Sequence, residues 1–277
     1  MPEIRQKSTK GVTRRVKKNK QSFVDRVPNW AWLTISLVTA LALWTIISYI
    51  PKTARSFAHP WETFGQLYEM IFERGILLQD IGSSLLTVVS GYAIGFCIAM
   101  PLAILMAWYR PVRYVLQPWI QFVRNIPPLA YVPLIVLTVG VGRKPQIIVI
   151  TIATTLIMCI TIFQGVVNID ETMIKAARVL GAKDKDIFVR IIAPASLPFI
   201  LTAARLGAST ALTTLIAAES VGSGLGLGMR IRAFNANYEP KPMLLYIIII
   251  GIIGLIVEKL IKLVERKLTG WQEKREI

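Results

Sequence analysis

Hydrophobic residues lie along this chain in long uncharged blocks, not at a helical or strand period. The first block, Trp30 to Ile50, has no charged residue. A helix needs about 20 apolar residues to cross a bilayer, so residues 30–50 are predicted to form a first membrane span, with Trp30, Trp32 and Tyr49 as interfacial aromatics near its ends. It is too long for the apolar part of a signal peptide and no small-residue cleavage site follows, so it is read as a retained helix. Residues 51–80 are amphipathic, and His59, Pro60 and the stretch 63–72 predict a short surface helix after a turn. Uncharged blocks at 81–109 and 145–169 predict the second and fourth spans. Between them, 114–142 is apolar but interrupted by Arg124, Pro127, Pro128 and Pro133. Proline frees helix carbonyls that neighbours must satisfy, so this third span is expected to be kinked and packed inward. A fifth span, 191–218, contains Arg205. A sixth, 243–263, ends among Glu258, Lys259 and Lys262, whose long side chains can reach the interface. The expected fold is all-α: a polytopic integral membrane helix bundle of about six transmembrane helices, with both termini on one side.

Composition agrees with that reading. Hydrophobic residues make up 54% of the 277 and charged residues 17%, a departure from globular averages in both directions at once. Little length remains for a separate soluble catalytic domain. The net charge of +16 would suggest nucleic acid in a soluble protein, but such proteins keep their charge content high and their apolar content ordinary, and the reverse holds here. The charge is instead a topology signal. Of the 32 Lys and Arg, 22 fall in the segments that share a side with the N-terminus, eight in the opposite segments, and Arg124 and Arg205 lie within spans. The positive-inside rule then places both termini in the cytoplasm, with Arg143 and Lys144 a local exception. Residues 1–29 form a basic arm that meets anionic lipid headgroups, and 265–277 a cytoplasmic tail. Cys97 and Cys159, far apart inside apolar runs, read as ordinary buried thiols. His59 is alone, so no metal site is expected, and without clustered His, Asp or Glu at membrane depth a membrane enzyme is not expected either. No G-x-x-x-x-G-K-[ST] sequence is present to bind ATP.

The segment between the fourth and fifth spans, about 168–194, carries the most information. Asn168 or Asp170 can cap a helix, Met173, Ala176, Ala177 and Leu180 recur at three- and four-residue spacing, and Gly181 sits where a C-terminal glycine would end it. Asp184 can cap a second helix, with Ile187, Phe188 and Ile191 on its apolar face, stopped by Pro194. A cytoplasmic helix-turn-helix follows. Small side chains at Ala176, Ala177 and Gly181 would let a partner surface lie close to the backbone; alternatively the segment is only a connector packed under the bundle.

This segment resembles the EAA loop of bacterial ABC importer permeases, whose pattern is Glu-Ala-Ala, three residues, Gly, nine residues, then Ile-x-Leu-Pro. Ala176, Ala177, Gly181, Ile191 and Pro194 fall at the matching positions without a gap, while Lys175 stands in place of Glu and Ala193 in place of Leu. The stretches Ser84 to Tyr92, Pro101-Leu-Ala, Ile126 to Leu134, Ala217-Ala-Glu219 and Gly222 to Gly226 are similar to the permeases that serve nitrate, sulfonate, taurine and bicarbonate importers. The resemblance implies a type I permease fold over about 80–264, pairing of two permease subunits as a homodimer, a cytoplasmic ATPase dimer that binds ATP-Mg, and an extracytoplasmic solute-binding protein. It implies a coupling role for the loop, with Glu171, Lys175, Ala176, Ala177, Gly181, Ala182, Ile191 and Pro194 as its candidate residues. No cofactor is expected in this chain.

Arg124, Arg205 and Glu219 are the candidate pathway residues, because burying any of these charges costs at least a few kcal/mol unless it is paired or hydrated. Each either faces a small, anionic or zwitterionic solute or is satisfied structurally, Glu219 by ending its helix. The alternating glycines from Gly222 to Gly228 read either as a flexible gate or as a tight re-entrant turn. A stand-alone secondary transporter or channel is the alternative, but it would need more intramembrane ionisable residues and an internal repeat.

Overall fold

The computed structural model describes residues 28–51, 56–221 and 224–268. Most of the basic arm, the tail beyond Leu268, and Gly222 and Ser223 lie outside the described residues.

Helix α1, Asn29–Tyr49, is apolar on every side, as a helix surrounded by lipid would be. It meets the rest of the chain near its C-terminal end. Trp44 Nε1 donates to the Ala58 carbonyl at 3.1 Å and Ser48 Oγ lies 2.7 Å from His59 Nδ1. The His59 ring also stacks on Trp61 at 4.5 Å. The one histidine thus ties α1 to the short helix α2, Pro60–Tyr68, which runs through a π-helical turn at Glu69–Glu73 toward the bundle.

The bundle is built around a glycine-lined crossing. Helix α3, Leu77–Trp108, and helix α6, Arg143–Val167, touch where Gly91 and Gly95 present bare backbone. A Cβ at Gly91 would stand 2.7 Å from Ile150 Cγ2, and one at Gly95 would collide with Thr154 Oγ1. Thr151 and Thr155 donate to the carbonyls of Gly91 and Gly95, each at 3.3 Å. Gly91 and Gly95, a G-x-x-x-G pair, therefore form the seam of the fold. Residue numbers rise together across this seam, so α3 and α6 run parallel. The chain between them must recross the membrane.

It does so in two pieces. Helix α4, Arg110–Arg124, and helix α5, Pro128–Val139, meet at 101°. The break falls at Pro127 and Pro128, where the residue before each proline is pushed out of the helical region. The expected kink is a full break, and parallel α3 and α6 make the pair a broken third span, not a re-entrant hairpin.

Beyond α6, helix α7, Glu171–Val179, and the single turn α8, Asp184–Ile187, form the anticipated helix-turn-helix. Pro194 does not stop it. A π turn at Phe188–Ile192 leads directly into helix α9, Ala193–Val221, and the whole reads as one rod, Asp184–Val221. In the π turn the Ala193 amide bonds to the Phe188 carbonyl. That re-registration brings Pro194 in as the second residue of the next α-helical segment, where a missing N–H is tolerated. The fifth span and the second helix of the loop are thus continuous.

Helix α9 runs antiparallel to α6, with Gly207 against Met158 and Gly165 against Phe199. Helix α10, Leu227–Ala236, is short, and helix α11, Pro240–Leu268, returns antiparallel to α9. The densest core, including Met106, Met158, Ile160, Ile162 and Phe163, follows α6, the central helix. Cys159 is buried there with its thiol 3.7 Å from Met106 Sδ. Cys97, expected to be buried, is instead on the exposed side of α3. The helix-turn-helix and the end of α11 share one end of the bundle, and the starts of α3, α6 and α11 share the other.

Candidate functional site

The helix-turn-helix is fixed from within its own backbone. Asp170 caps α7 by accepting from the Thr172 amide at 2.8 Å, and this bond holds its carboxyl below the usual carboxylate range. At the other end the Gly181 amide donates to Arg178 O and the Ala182 amide to Ala177 O, each at 3.0 Å, with Gly181 at φ +82°. These are the two bonds of a Schellman turn, and Ala177 and Ala182 make the apolar contact that accompanies it. Glu171 and Lys175 form an i, i+4 ion pair of 2.8 Å. The pair lowers the Glu171 pKa and raises that of Lys175. Lys175, where the EAA pattern has Glu, is thereby tied to a neighbouring acid.

Two faces result. Ile174, Ala177, Ala182, Ile187 and Ile192 pack inward around Ile169, and Phe188 sits edge-on to Trp108 of α3 at 5.6 Å. Outward stand Met173, Ala176, Val179 and Leu180, the last two each 87% exposed. Sequence periodicity placed Met173, Ala176, Ala177 and Leu180 on one face; Ala177 alone of these turns to the core. Gly181, Ala182, Ile191, Asp186 and Arg190 line a notch between the two helices. Pro194 is exposed beside it.

At the opposite end a buried polar clamp holds α10 against α3, and sequence reading missed most of it. Asp80, placed by sequence in a surface segment, lies in the first turn of α3 and is fully buried. It accepts from Arg230 Nε at 2.9 Å, Tyr246 Oη at 3.0 Å and the Gly226 amide at 3.2 Å. The Asp80 carboxylate raises the Arg230 pKa further. One helical turn on, Ser84 donates to Glu219 Oε1 at 2.7 Å and accepts from the Leu227 amide at 2.8 Å. The second Glu219 oxygen accepts from the Gly228 amide at 2.7 Å. Arg143, the local exception to the charge rule, donates to Ser83 Oγ at 3.0 Å, so it is engaged within the fold. Gly226, at φ +150°, has no room for a Cβ against the Glu219 carboxylate. Gly224 to Gly228 therefore form a pinned turn.

The protein-family model for the binding-protein-dependent transport system inner membrane component matches residues 99–270, more than half of the chain. The chain belongs to that family. The permease is 44% identical over 200 residues to a probable ABC transporter permease protein of Brucella abortus, covering 72% of this chain and 80% of the relative. It is 28% identical to the taurine transport system permease protein TauC of Escherichia coli, over 87% of this chain and 93% of the relative. Its fold is similar to the MetNI methionine ABC transporter in an inward-facing conformation, with a TM-score of 0.60 at 20% identity, covering 69% of this chain and 95% of that one. The molecule is the multi-pass inner-membrane permease of an ABC importer, a system that includes an ATPase and a solute-binding protein.

The three pathway candidates separate in the permease structure. Arg124 ends α4 at the broken span, exposed, on the rim of a cavity of about 330 Å³ that it shares with Tyr131, Ala153, Leu156 and Thr210. Arg205 lies 3.7 Å from Glu265 of α11, both partly exposed. Glu219 is sealed inside the polar clamp. Periodicity and spacing carried no signal for Asp80, Ser84 or Arg230, because their partners are over 130 residues away.

Proposed function

We propose that the permease works as one of two identical subunits, with both termini in the cytoplasm, and moves a small anionic or zwitterionic solute of the sulfonate, taurine, nitrate or bicarbonate class. The similarity to a taurine permease supports the solute class. So does Arg124, a cation at a cavity formed where a span is broken, the arrangement by which membrane transporters commonly meet charged solutes.

The observation that carries the coupling assignment is the exposed apolar patch of Met173, Ala176, Val179 and Leu180 around Gly181. It stands on a self-supporting turn at the end of the bundle that the charge distribution assigns to the cytoplasm. Such a patch fits a cleft on the ATPase, with Glu171, Lys175, Asp186 and Arg190 fixing the orientation around it. ATP-Mg binds and is hydrolysed on the ATPase. Closure of the two ATPases moves the docked loops, and the rod from Asp184 to Val221 carries that motion into the membrane as a shear of packed helices. A stand-alone transporter or channel is not favoured, since the family belongs to binding-protein-dependent systems.

Gly181 provides the test. Its Cβ position is open space, so a side chain there meets only the strain of the left-handed backbone, about 1–2 kcal/mol and less for Asn or Asp. Gly181→Asp puts a charge in the centre of the patch and Gly181→Asn adds the same bulk without it. The Asp variant is expected to reach the membrane but lose co-purification with the ATPase, and the Asn variant to retain a measurable part. Undiminished ATPase association and transport in Gly181→Asp would sink the assignment.

A further inference from the structure

Behind the helix-turn-helix, on the side away from the exposed patch, lies a cavity of about 670 Å³. That is inside the roughly 300–1,000 Å³ range in which small molecules are held. Met100, Ile104 and Trp108 of α3 form one wall, and Ile174, Phe188 and Ile200 the facing one. The lining is mainly apolar; of its charged residues Arg110, Arg178, Glu171 and Asp184 are exposed and mark the mouth, and Arg113 is half-buried.

These charges do not balance. Glu171 is taken by Lys175 at 2.8 Å, and Asp184 by Arg178 at 3.6 Å. Arg113 donates to the neutral Gln117 side chain at 3.1 Å and lies over the Phe163 ring at 5.1 Å. Among the described residues Arg110 forms no ion pair. Two arginines with no acidic partner thus flank an apolar cavity.

The depth of the mouth is also marked. Trp108, Tyr109 and Tyr114 are exposed at the α3–α4 corner, and tryptophan and tyrosine gather at the headgroup level of membranes. Along α4, Val115, Trp119 and Phe122 continue an exposed apolar face suited to contact with lipid. An occupant with an apolar chain and an anionic head fits the two halves of this site at this depth. Basic pockets between helices on the cytoplasmic side hold anionic headgroups for the same reason.

We propose that this cavity binds one anionic phospholipid, an acyl chain between α3 and α9 and the phosphate at Arg110 and Arg113. The lipid then fills the space between Trp108, Ile174 and Phe188 and braces the helix-turn-helix against α3. Lipid capture needs only the membrane setting; its effect on ATPase coupling rests on the function proposed above.

The test uses the intact transporter, permease with its ATPase, in nanodiscs of phosphatidylcholine with a minority of phosphatidylglycerol. Native mass spectrometry is expected to show one phosphatidylglycerol retained per permease copy. Arg110→Gln lowers that retained fraction at least fivefold. So does Ala107→Trp, which fills the cavity and leaves every charge in place. Arg266→Gln, an exposed cation on α11 away from the cavity, does not. A benzophenone side chain at Leu197, which lines the cavity, gives an independent reading if either variant fails to assemble, and is expected to crosslink to lipid. Equal retention of both lipids, unchanged retention in Arg110→Gln and Ala107→Trp, or a crosslink to the ATPase overturns the proposal. Loss of the lipid in Arg110→Gln with ATPase docking and transport unchanged leaves lipid capture standing and counts against its effect on coupling alone.

Discussion

Replacing Glu219 by alanine tests whether the polar clamp, not the helix packing around it, holds α10 in place. The carboxylate is fully buried and accepts two hydrogen bonds of 2.7 Å, from Ser84 Oγ and the Gly228 amide. Hydrogen bonds to a charged group contribute about 1.5–3 kcal/mol each, so losing both costs about 3–6 kcal/mol. Removing a buried charge also relieves its desolvation, which pulls toward the lower end. Ser84 keeps its bond from the Leu227 amide, but the Gly228 amide loses the acceptor it has in Glu219. At roughly 2–4 °C per kcal/mol for a chain of this size, Glu219→Ala should lower the melting temperature of the purified permease by on the order of 10 °C. Glu219→Gln, which still offers an oxygen to Gly228, should lose less than half of that. Hydrogen exchange gives the local readout: protection over residues 226–236 should fall in Glu219→Ala and leave the α3–α6 seam unchanged. A melting temperature within 2 °C of the parent, with exchange unaltered in α10, would refute the clamp.

Other expectations follow from the same structure. Gly95→Val drives a side chain into Thr154 at the α3–α6 seam and should cost at least about 1–3 kcal/mol, read as loss of monodisperse protein in detergent. Asp80→Asn leaves Arg230 facing a neutral partner and should destabilise by about 3–5 kcal/mol; adding Arg230→Gln should recover part of it in a double-mutant cycle, and strict additivity would argue against a direct pair. Arg205 and Glu265, both partly exposed, should contribute at most about 1 kcal/mol. Exchanging the two residues should restore stability lost in Arg205→Glu; restored stability without restored transport would show that Arg205 also acts on the solute.

Local signals were legible in the sequence where the cause is local. The Asp170 cap, the Gly181 turn and the long uncharged blocks each depend on a few neighbouring residues, and the structure has all of them. The failures are non-local or depend on competition. Pro194 stops a helix only if the preceding turn stays α-helical, and a π turn at Phe188–Ile192 removes that condition. The parallel register of α3 and α6 is set by which glycine meets which threonine 60 residues away. Asp80 looked like a surface acid because its partners, Gly226, Arg230 and Tyr246, come from the far end of the chain. At the candidate site, spacing found the loop but not which of its apolar residues face outward, since Ala177 and Met173 are equally acceptable to either face until Ile169 and Ile187 occupy one side.

The unbroken passage from Asp184 through Val221 has a mechanical corollary. At about 1.5 Å per residue it is a beam of roughly 57 Å. It packs along the central helix, with Phe199 against Gly165 and Gly207 against Met158. A pivot at the Gly207 crossing would divide the beam into arms of about 35 Å on the loop side and about 21 Å on the clamp side. A tilt that moves the loop by about 3 Å would move Glu219 by about 2 Å in the opposite sense, and α10 with it through the two hydrogen bonds that Glu219 accepts. Displacement is reduced and force is gained by the same ratio, so the beam suits work done against a docked partner more than a large excursion.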